Sequence, residues 1–427
     1  MGAAANDTLA ALRAGDLAGA TRLDLCDADL AELPAEVFGL ADTLEVLDIS
    51  RTRIDRLPHD LSRLKRLRAV FASGAPFRRL PEALGDCPAL SQVGFRGCGL
   101  VEVPAEALPP ALRWLTLTDN RIALLPDALG ERPDLRKLLL SGNRLAALPE
   151  SLAQAGDLEL LRIAANRFDA PPAWLAELPA LAWLAWSGNP FDAQSPARAA
   201  PPAAWGQLTI GRPLGRGASG DVFEAAWSGR PAALKLFRGA MTSDGLPERE
   251  MAACMAAGEH PNLTGALGRI EDHPDGAEGL LMPLLPESWR VLAGPPSLES
   301  CSRDVYASDL ALPPQVARRI ARDVAAGAAH LHARGLQHGD LYAHNVLWDG
   351  TDGAAVLSDF GAAAFLPADA GQRWTPLDVR AFGLLLGELL DRIDGETPAD
   401  LRALEADCVQ PDGAARPSMA QALAALS

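Results

Sequence analysis

The chain has 427 residues, with 39 basic against 55 acidic side chains and a net charge of −16. That length suggests two or three domains at roughly 100–200 residues each, and the acidic balance argues against general binding to nucleic-acid backbones or anionic membranes. The cysteines (Cys26, Cys87, Cys98, Cys254, Cys301, Cys408) lie far apart with no CxxC pair and no histidine at metal spacing, so they read as reduced, mostly buried small residues.

Residues 1–19, opening "MGAAANDTLAALRAG", read as an N-terminal cap. No basic stretch leads into an apolar run, so a secretory signal is not expected, and Asn6 stands where a myristoylation motif wants Ser or Thr. No segment approaches the roughly 18 unbroken apolar residues of a membrane span. The expected location is cytoplasmic. Lysine is scarce, with only Lys65, Lys137 and Lys235.

From residue 20 the text repeats. "LEVLDISRTRIDRLP" from Leu44, "LRAVFASGAPFRRLP" from Leu67, "LRWLTLTDNRIALLP" from Leu112 and "LRKLLLSGNRLAALP" from Leu135 share the form LxxLxLxxNxLxxLP. Further copies begin at Leu90, Leu158 and Leu181, and a degenerate one surrounds "RLDLCDADLAELP", giving eight copies at spacings of 22 to 24. A fixed period with this internal pattern resembles the leucine-rich repeat family over residues 20–191. The resemblance implies an α/β solenoid in which each repeat supplies a short strand, an asparagine turn and a return segment begun by proline, its leucines buried only by stacking on neighbours. Asn120, Asn143, Asn166 and Asn189 fill the ladder late in the array, whereas Ala28, Thr52, Ala75 and Cys98 replace it early, so the early repeats are expected to be less regular.

Side chains alternate along a strand, which puts Phe71, Trp114, Leu139, Leu160 and Trp183 on the concave face. That apolar set reads as scattered surface apolar residues, as contact with the chain's own second domain, or as a docking patch for a protein substrate or adaptor. Arg51, Arg53, Arg56, Arg63, Lys65, Arg66, Arg68, Arg78 and Arg79 crowd the second and third repeats, as a solvated face or as a site for an acidic partner. The Ala- and Pro-rich stretch 192–206 reads as a linker.

A different text begins at Leu208, "LTIGRPLGRGASGDVFEAAWSGRPAALKLF". Gly215, Gly217 and Gly220 form GxGxxG, a weak signal by itself, but the β-like segment that follows, with Val222 and then Lys235 in "AALK", is not the helix that a dinucleotide fold would start there. "PEREMAACMAAGEHPN" reads as a helix with Glu248 and Glu250 near its start, and "GLLMPLLP" as an apolar connecting segment. An amphipathic run, "VARRIARDVAAGAAHLHARG", leads to "HGDLYAHN" at 338, "SDFG" at 358 and "DVRAFG" at 378.

Five such motifs in this order resemble the protein kinase family over residues 208–427. The resemblance implies an α+β two-lobed kinase domain at 207–427 that takes ATP and Mg2+. It implies that Lys235 binds the phosphates and pairs with Glu250, which spacing favours narrowly over Glu248. Asp340 becomes the base that orients the acceptor hydroxyl, Asn345 and Asp359 the metal ligands, and His338 and Phe360 packing residues. The resemblance makes "GLLMPLLP" the hinge segment, with Met282 as gatekeeper, and the adenine pocket would comprise Val222, Ala233, Met282, Pro283, Leu285 and Leu347, with Pro283 giving only a carbonyl and Leu285 the amide.

The family pattern also fails in places. Gly339 replaces the arginine that grips a phosphorylated activation segment, so phosphorylation there is not expected to be the switch. Tyr342 replaces the lysine that neutralises the transferring phosphoryl, and Tyr342→Lys is accordingly expected to raise turnover. His344, four residues after Asp340, stands where tyrosine kinases place an arginine, as a weaker, partly charged substitute. The segment between "SDFG" and "DVRAFG" is short and has no APE triplet, which leaves Arg416 in "ARPS" without the glutamate it would pair with.

The reading is a protein serine/threonine kinase whose repeats recruit a protein. The alternatives are a nucleotide-binding pseudokinase scaffold and, on the "HGD" loop, a small-molecule kinase.

Overall fold

In the computed structural model, residues 3–192, 200–217, 219–239, 241–367 and 371–427 are described. The chain divides into two compact units, Met1–Ala180 and Leu181–Ser427. Residues 193–199, nearly half of the expected linker, lie outside the described residues.

The first unit opens with helix α1 (Ala3–Ala14), which buries Leu9 and Leu12. Seven three-residue strands follow, one per repeat: β1 (Arg22–Asp24), β2 (Val46–Asp48), β3 (Ala69–Phe71), β4 (Gln92–Gly94), β5 (Trp114–Thr116), β6 (Lys137–Leu139) and β7 (Leu160–Arg162). They pair in parallel and in sequence order. The middle residue of each faces inward, and Leu23, Leu47, Val70, Leu115, Leu138 and Leu161 are fully buried. Three-ten turns complete most repeats, entered from extended prolines such as Pro34, Pro81, Pro104, Pro126 and Pro149. Proline fixes φ and has no N–H to leave unpaired at a helix start.

The asparagines turn the chain by bonding backbone on two sides. Asn120 Oδ1 accepts from the Cys98 and Leu100 amides at 3.1 and 2.9 Å, while its Nδ2 donates to the Phe95 and Leu117 carbonyls. Asn143 and Asn166 repeat the arrangement. Contrary to expectation, β1 to β4 hold the same parallel register as the later strands. Substitutes supply part of the bonding: Cys98 Sγ donates to the Ala72 carbonyl at 3.1 Å, and Thr52 Oγ1 to that of Ile49 at 2.8 Å.

Seven of the nine residues of the basic run find acidic partners within this unit. Arg51, Arg53, Arg56, Lys65 and Arg68 pair with Asp27, Asp29, Glu32, Asp42 and Glu45, acids one repeat earlier, while Arg63 pairs with Asp60 and Arg79 with Glu82 and Glu102. Such exposed pairs mostly neutralise one another and contribute little stability.

In the second unit, β8 (Trp183–Ala185) carries the last repeat's strand, and β9 (Pro202–Ala204) joins the edge of a sheet. That sheet contains β10 (Leu208–Arg216), β11 (Gly220–Trp227), β12 (Arg230–Phe237), β13 (Gly268–Glu271) and β14 (Gly279–Met282), in the order β10-β11-β12-β14-β13-β9. Helix α2 (Pro247–Ala257) lies between β12 and β13 in sequence. A helical part follows, with α3 (Pro314–Ala333), α4 (Gly371–Leu390), α5 (Ala399–Cys408) and α6 (Met419–Ala425). Short strands frame the loops between α3 and α4: β15 (Arg290–Val291) with β17 (Val346–Trp348) and β18 (Ala355–Leu357), and β16 (Leu336–Gln337) with β19 (Ala364–Phe365). Among the described residues no helix is long and apolar enough to cross a membrane. All six cysteines are free thiols.

Candidate active site

Strands β10 to β12 form an antiparallel meander that sets the roof of a cavity of about 820 Å³. Gly217, Gly220, Val222, Ala233, Lys235, Glu250, Met282, Pro283, Leu285, Leu347 and Asp359 line it. The size suits a small organic ligand. Gly215 pairs with Val222 in the β10–β11 ladder, outside that lining. Gly220 has a steric reason to be glycine, since a Cβ there would stand 2.2 Å from the Leu236 carbonyl oxygen.

β12 delivers Lys235 to the cavity and α2 delivers Glu250, and the two form a buried ion pair. Burial works to lower the Lys235 pKa, but the charges of Glu250 and Asp359 outweigh it and raise it above its ordinary value, so the ammonium stays charged. Of the two glutamates the sequence offers, Glu250 is the one in the pair. Asp359 sits in the left-handed region, at φ +60°, and its Oδ1 accepts from the Gly361 amide at 3.0 Å. That turn is a local device by which a carboxylate loop holds its shape.

The loop at 338–345 is fixed from beneath by Asp378 of α4. The buried Asp378 carboxylate accepts from the His338 and Gly339 amides at 2.7 and 2.9 Å and bonds His332 Nε2 at 3.0 Å. Burial alone would raise its pKa, but the bond and charge of His332 hold the carboxyl below its usual range. His338 Nε2 bonds the Ser358 carbonyl at 3.1 Å and its ring lies 5.8 Å from that of Phe360, as packing residues would. Asn345 Nδ2 donates to Asp340 twice, to the carbonyl at 2.9 Å and to Oδ2 at 2.8 Å.

Sequence reading missed Asp304, which has no motif around it and lies forty residues before its partner. Its buried carboxylate bonds His344 Nδ1 at 2.7 Å and accepts from the His344 amide at 2.8 Å. Burial tends to lower the imidazole pKa, but the Asp304 bond and the nearby charges of Asp340 and Asp359 raise it above the ordinary 6.5. His344 is therefore a better cation than its residue type suggests.

Two further expectations change. Tyr342 is buried, its ring stacked on Trp183 at 4.0 Å and 9°, so it is not a vacant position awaiting a lysine. Trp183 and Leu160 are buried and unavailable on an exposed apolar face, which leaves Phe71, Trp114 and Leu139 half-buried. Arg416, deprived of a glutamate, donates instead to the carbonyls of Gln410, Pro376 and Pro411 at 2.7, 2.9 and 3.1 Å. Burial, with the nearby Arg380 charge, lowers its pKa to about 10. The short segment after Asp359 pairs with the loop through β16 and β19, while residues 368–370 lie outside the described residues.

The cavity with its buried Lys235–Glu250 pair and Asp359 turn, and the nearby loop in which Asn345 holds Asp340, fall in one continuous stretch of the chain. Residues 208–378 match the family model for the protein kinase domain. The chain thus carries a protein kinase domain preceded by leucine-rich repeats.

Kinase suppressor of Ras 2 from Homo sapiens is 28% identical over 45% of this chain and 19% of its own length. CBL-interacting protein kinase 22 from Oryza sativa is 32% identical over 38% of each chain, and serine/threonine-protein kinase PkaB from Streptomyces coelicolor 28% over 45% of each. The chain therefore spans about a fifth of the first relative and less than half of the other two. Among solved structures, a leucine-rich repeat protein of Leptospira interrogans matches with a TM-score of 0.40 and 26% identity, over 42% of this chain and 46% of that one.

Proposed function

We propose that the region 207–427 transfers the γ-phosphoryl of Mg-ATP to a serine or threonine hydroxyl of a protein, and that the repeats over 20–191 recruit that protein or an adaptor. The observation that carries the reading is the convergence of the charged Lys235–Glu250 pair and Asp359 on one cavity wall. The serine/threonine type draws on the names of relatives such as PkaB.

In this mechanism Lys235 binds phosphate oxygens and Glu250 keeps its ammonium in place. The apolar walls of Val222, Ala233 and Leu347 suit a purine, with Met282, Pro283 and Leu285 along the β14 exit. Asp359 and Asn345 would hold Mg2+, whose charge supplies stabilisation of the phosphates. They fit a hard cation because one offers a carboxylate and the other an amide oxygen whose partner nitrogen is already committed to Asp340. Asp340, oriented by Asn345, aligns the acceptor hydroxyl and takes its proton. His344, raised by Asp304, places positive charge near the loop in the absence of the usual lysine. Most of the rate gain comes from positioning and charge stabilisation.

Incubating the purified chain and a generic protein acceptor with labelled Mg-ATP, followed by identification of the phosphorylated amino acid, tests the reading. Phosphoserine or phosphothreonine is expected; nucleotide binding without any incorporation would favour a scaffold that only holds nucleotide.

A further inference from the structure

Residues 181–192 carry the repeat pattern, yet they belong to the second unit and contact residues 337–342, α2 and α4 within it. Trp183 lies flat on Tyr342, and its Nε1 donates to the Leu341 carbonyl at 3.0 Å. Arg303 covers its ring at 5.3 Å. The Leu184 carbonyl accepts from Gln337 Nε2 at 3.2 Å and lies 2.6 Å from where a Cβ at position 339 would stand. Gly339 itself has φ +72°, a conformation that a side chain disfavours. A side chain at this position therefore has no room, because the Leu184 carbonyl of the last repeat's strand and the Ala362 carbonyl, 2.8 Å from the same point, fill that space.

At the far end of the same segment, Arg249 donates to the Asp192 carbonyl at 3.2 Å and pairs with its carboxylate at 3.5 Å. Arg249 adjoins Glu250 on α2, so this contact bears on the helix that carries the lysine's partner. Between the two ends, Trp186 meets Trp374 of α4 edge to face, with ring centroids 4.7 Å apart. One twelve-residue stretch thus bonds the loop on both sides of Gly339, braces α4 and tethers α2.

We propose that residues 181–192 are a built-in clamp that holds the catalytic loop and the Glu250 helix in their transfer-competent places, with Trp183 as the main positioning residue. The clamp takes over the work of an arginine gripping a phosphorylated segment, so competence is set when the last repeat folds. An inhibitory plug fits less well. The indole is committed to Tyr342 and Leu341, and the Lys235–Glu250 pair is formed with the clamp engaged.

The turnover arm of the test rests on the proposed transferase function; the exchange arm does not. Full-length Trp183→Ala, Trp183→Phe and Arg249→Ala are compared with the wild type by amide hydrogen exchange and by phosphoryl transfer. Trp183→Ala is expected to speed exchange in residues 336–345 about tenfold, and Arg249→Ala to do so in α2. In Trp183→Ala, kcat should fall about tenfold with the KM for Mg-ATP within about twofold, and Trp183→Phe, which keeps the stack, should recover most of it. If Trp183→Ala fails to fold, Arg249→Ala carries the same two readouts. Unchanged exchange in the variants overturns the clamp whether or not the wild type transfers phosphate, and faster turnover in Trp183→Ala overturns it in favour of a plug. Faster exchange beside a wild type that transfers nothing would uphold the clamp and sink the transferase reading instead.

Discussion

On the side of the site proposed to hold nucleotide, Lys235, Glu250 and Asp359 meet at positions that the resemblance to protein kinases implies. On the side proposed to hold the acceptor, Gly339, Tyr342 and His344 depart from the family residues, and their neighbours Leu184, Trp183 and Asp304 lie far away in sequence. The first arrangement needs only a strand, a helix and a turn in the right order. The second has been rebuilt, with an aromatic stack and a carboxylate–imidazole pair standing where basic side chains would be. A changed motif residue is thus not evidence of lost chemistry until its new neighbours are known.

The sharpest way to break this contrast is on the nucleotide side. Lys235→Ala leaves Glu250 buried without its cation and removes the charge proposed to face the phosphates, so transfer should fall by about 10²–10³-fold, read as kcat/KM for Mg-ATP. A loss smaller than tenfold would mean that the pair does not serve the phosphates.

Restoring family residues on the acceptor side should harm the protein. Gly339→Arg forces a side chain into positive φ and against the Leu184 carbonyl, and Tyr342→Lys exchanges a buried stacked ring for a buried ammonium. Each should lower stability by about 2–4 kcal/mol in denaturant unfolding and lower turnover. The Tyr342→Lys outcome reverses what the sequence suggests, because the burial of that ring cannot be seen in the motif.

A pH series sharpens the same contrast. The His344 pKa is raised in the folded chain, so its charge is complete below the ordinary 6.5 and is lost as pH rises through the higher folded value. Transfer should therefore decline on the alkaline side. Asp304→Asn, which removes the largest of the causes that raise it, should move that decline to lower pH, and an unmoved profile would exclude His344 as its source.

The smallest effect is expected far from the site. Arg53→Ala removes one exposed pair with Asp29, and should shift Tm by no more than about 1–2 °C.

The fold was legible because both halves advertise it, the first by a period that fixes strand, turn and return segment, the second by ordered motifs. Glu250 could be chosen over Glu248 only narrowly from spacing, whereas the structure pairs it directly with Lys235. The early repeats looked irregular because their asparagines are missing, yet thiol and hydroxyl donors keep the chain turning. Asp304 was invisible, since a lone aspartate in a loop carries no local signal. Trp183 was visible as a concave-face residue, but an alternating pattern says which way a side chain points and nothing of what meets it.

The most direct test measures nucleotide affinity and phosphoryl transfer together, in the full chain and in Asp340→Asn. Nucleotide affinity should stay within about twofold while transfer falls by about 10²–10⁴-fold, the range for a positioned general base. Equal transfer by the two proteins, or none by the wild type despite nucleotide binding, would contradict a phosphoryl-transfer role for this loop.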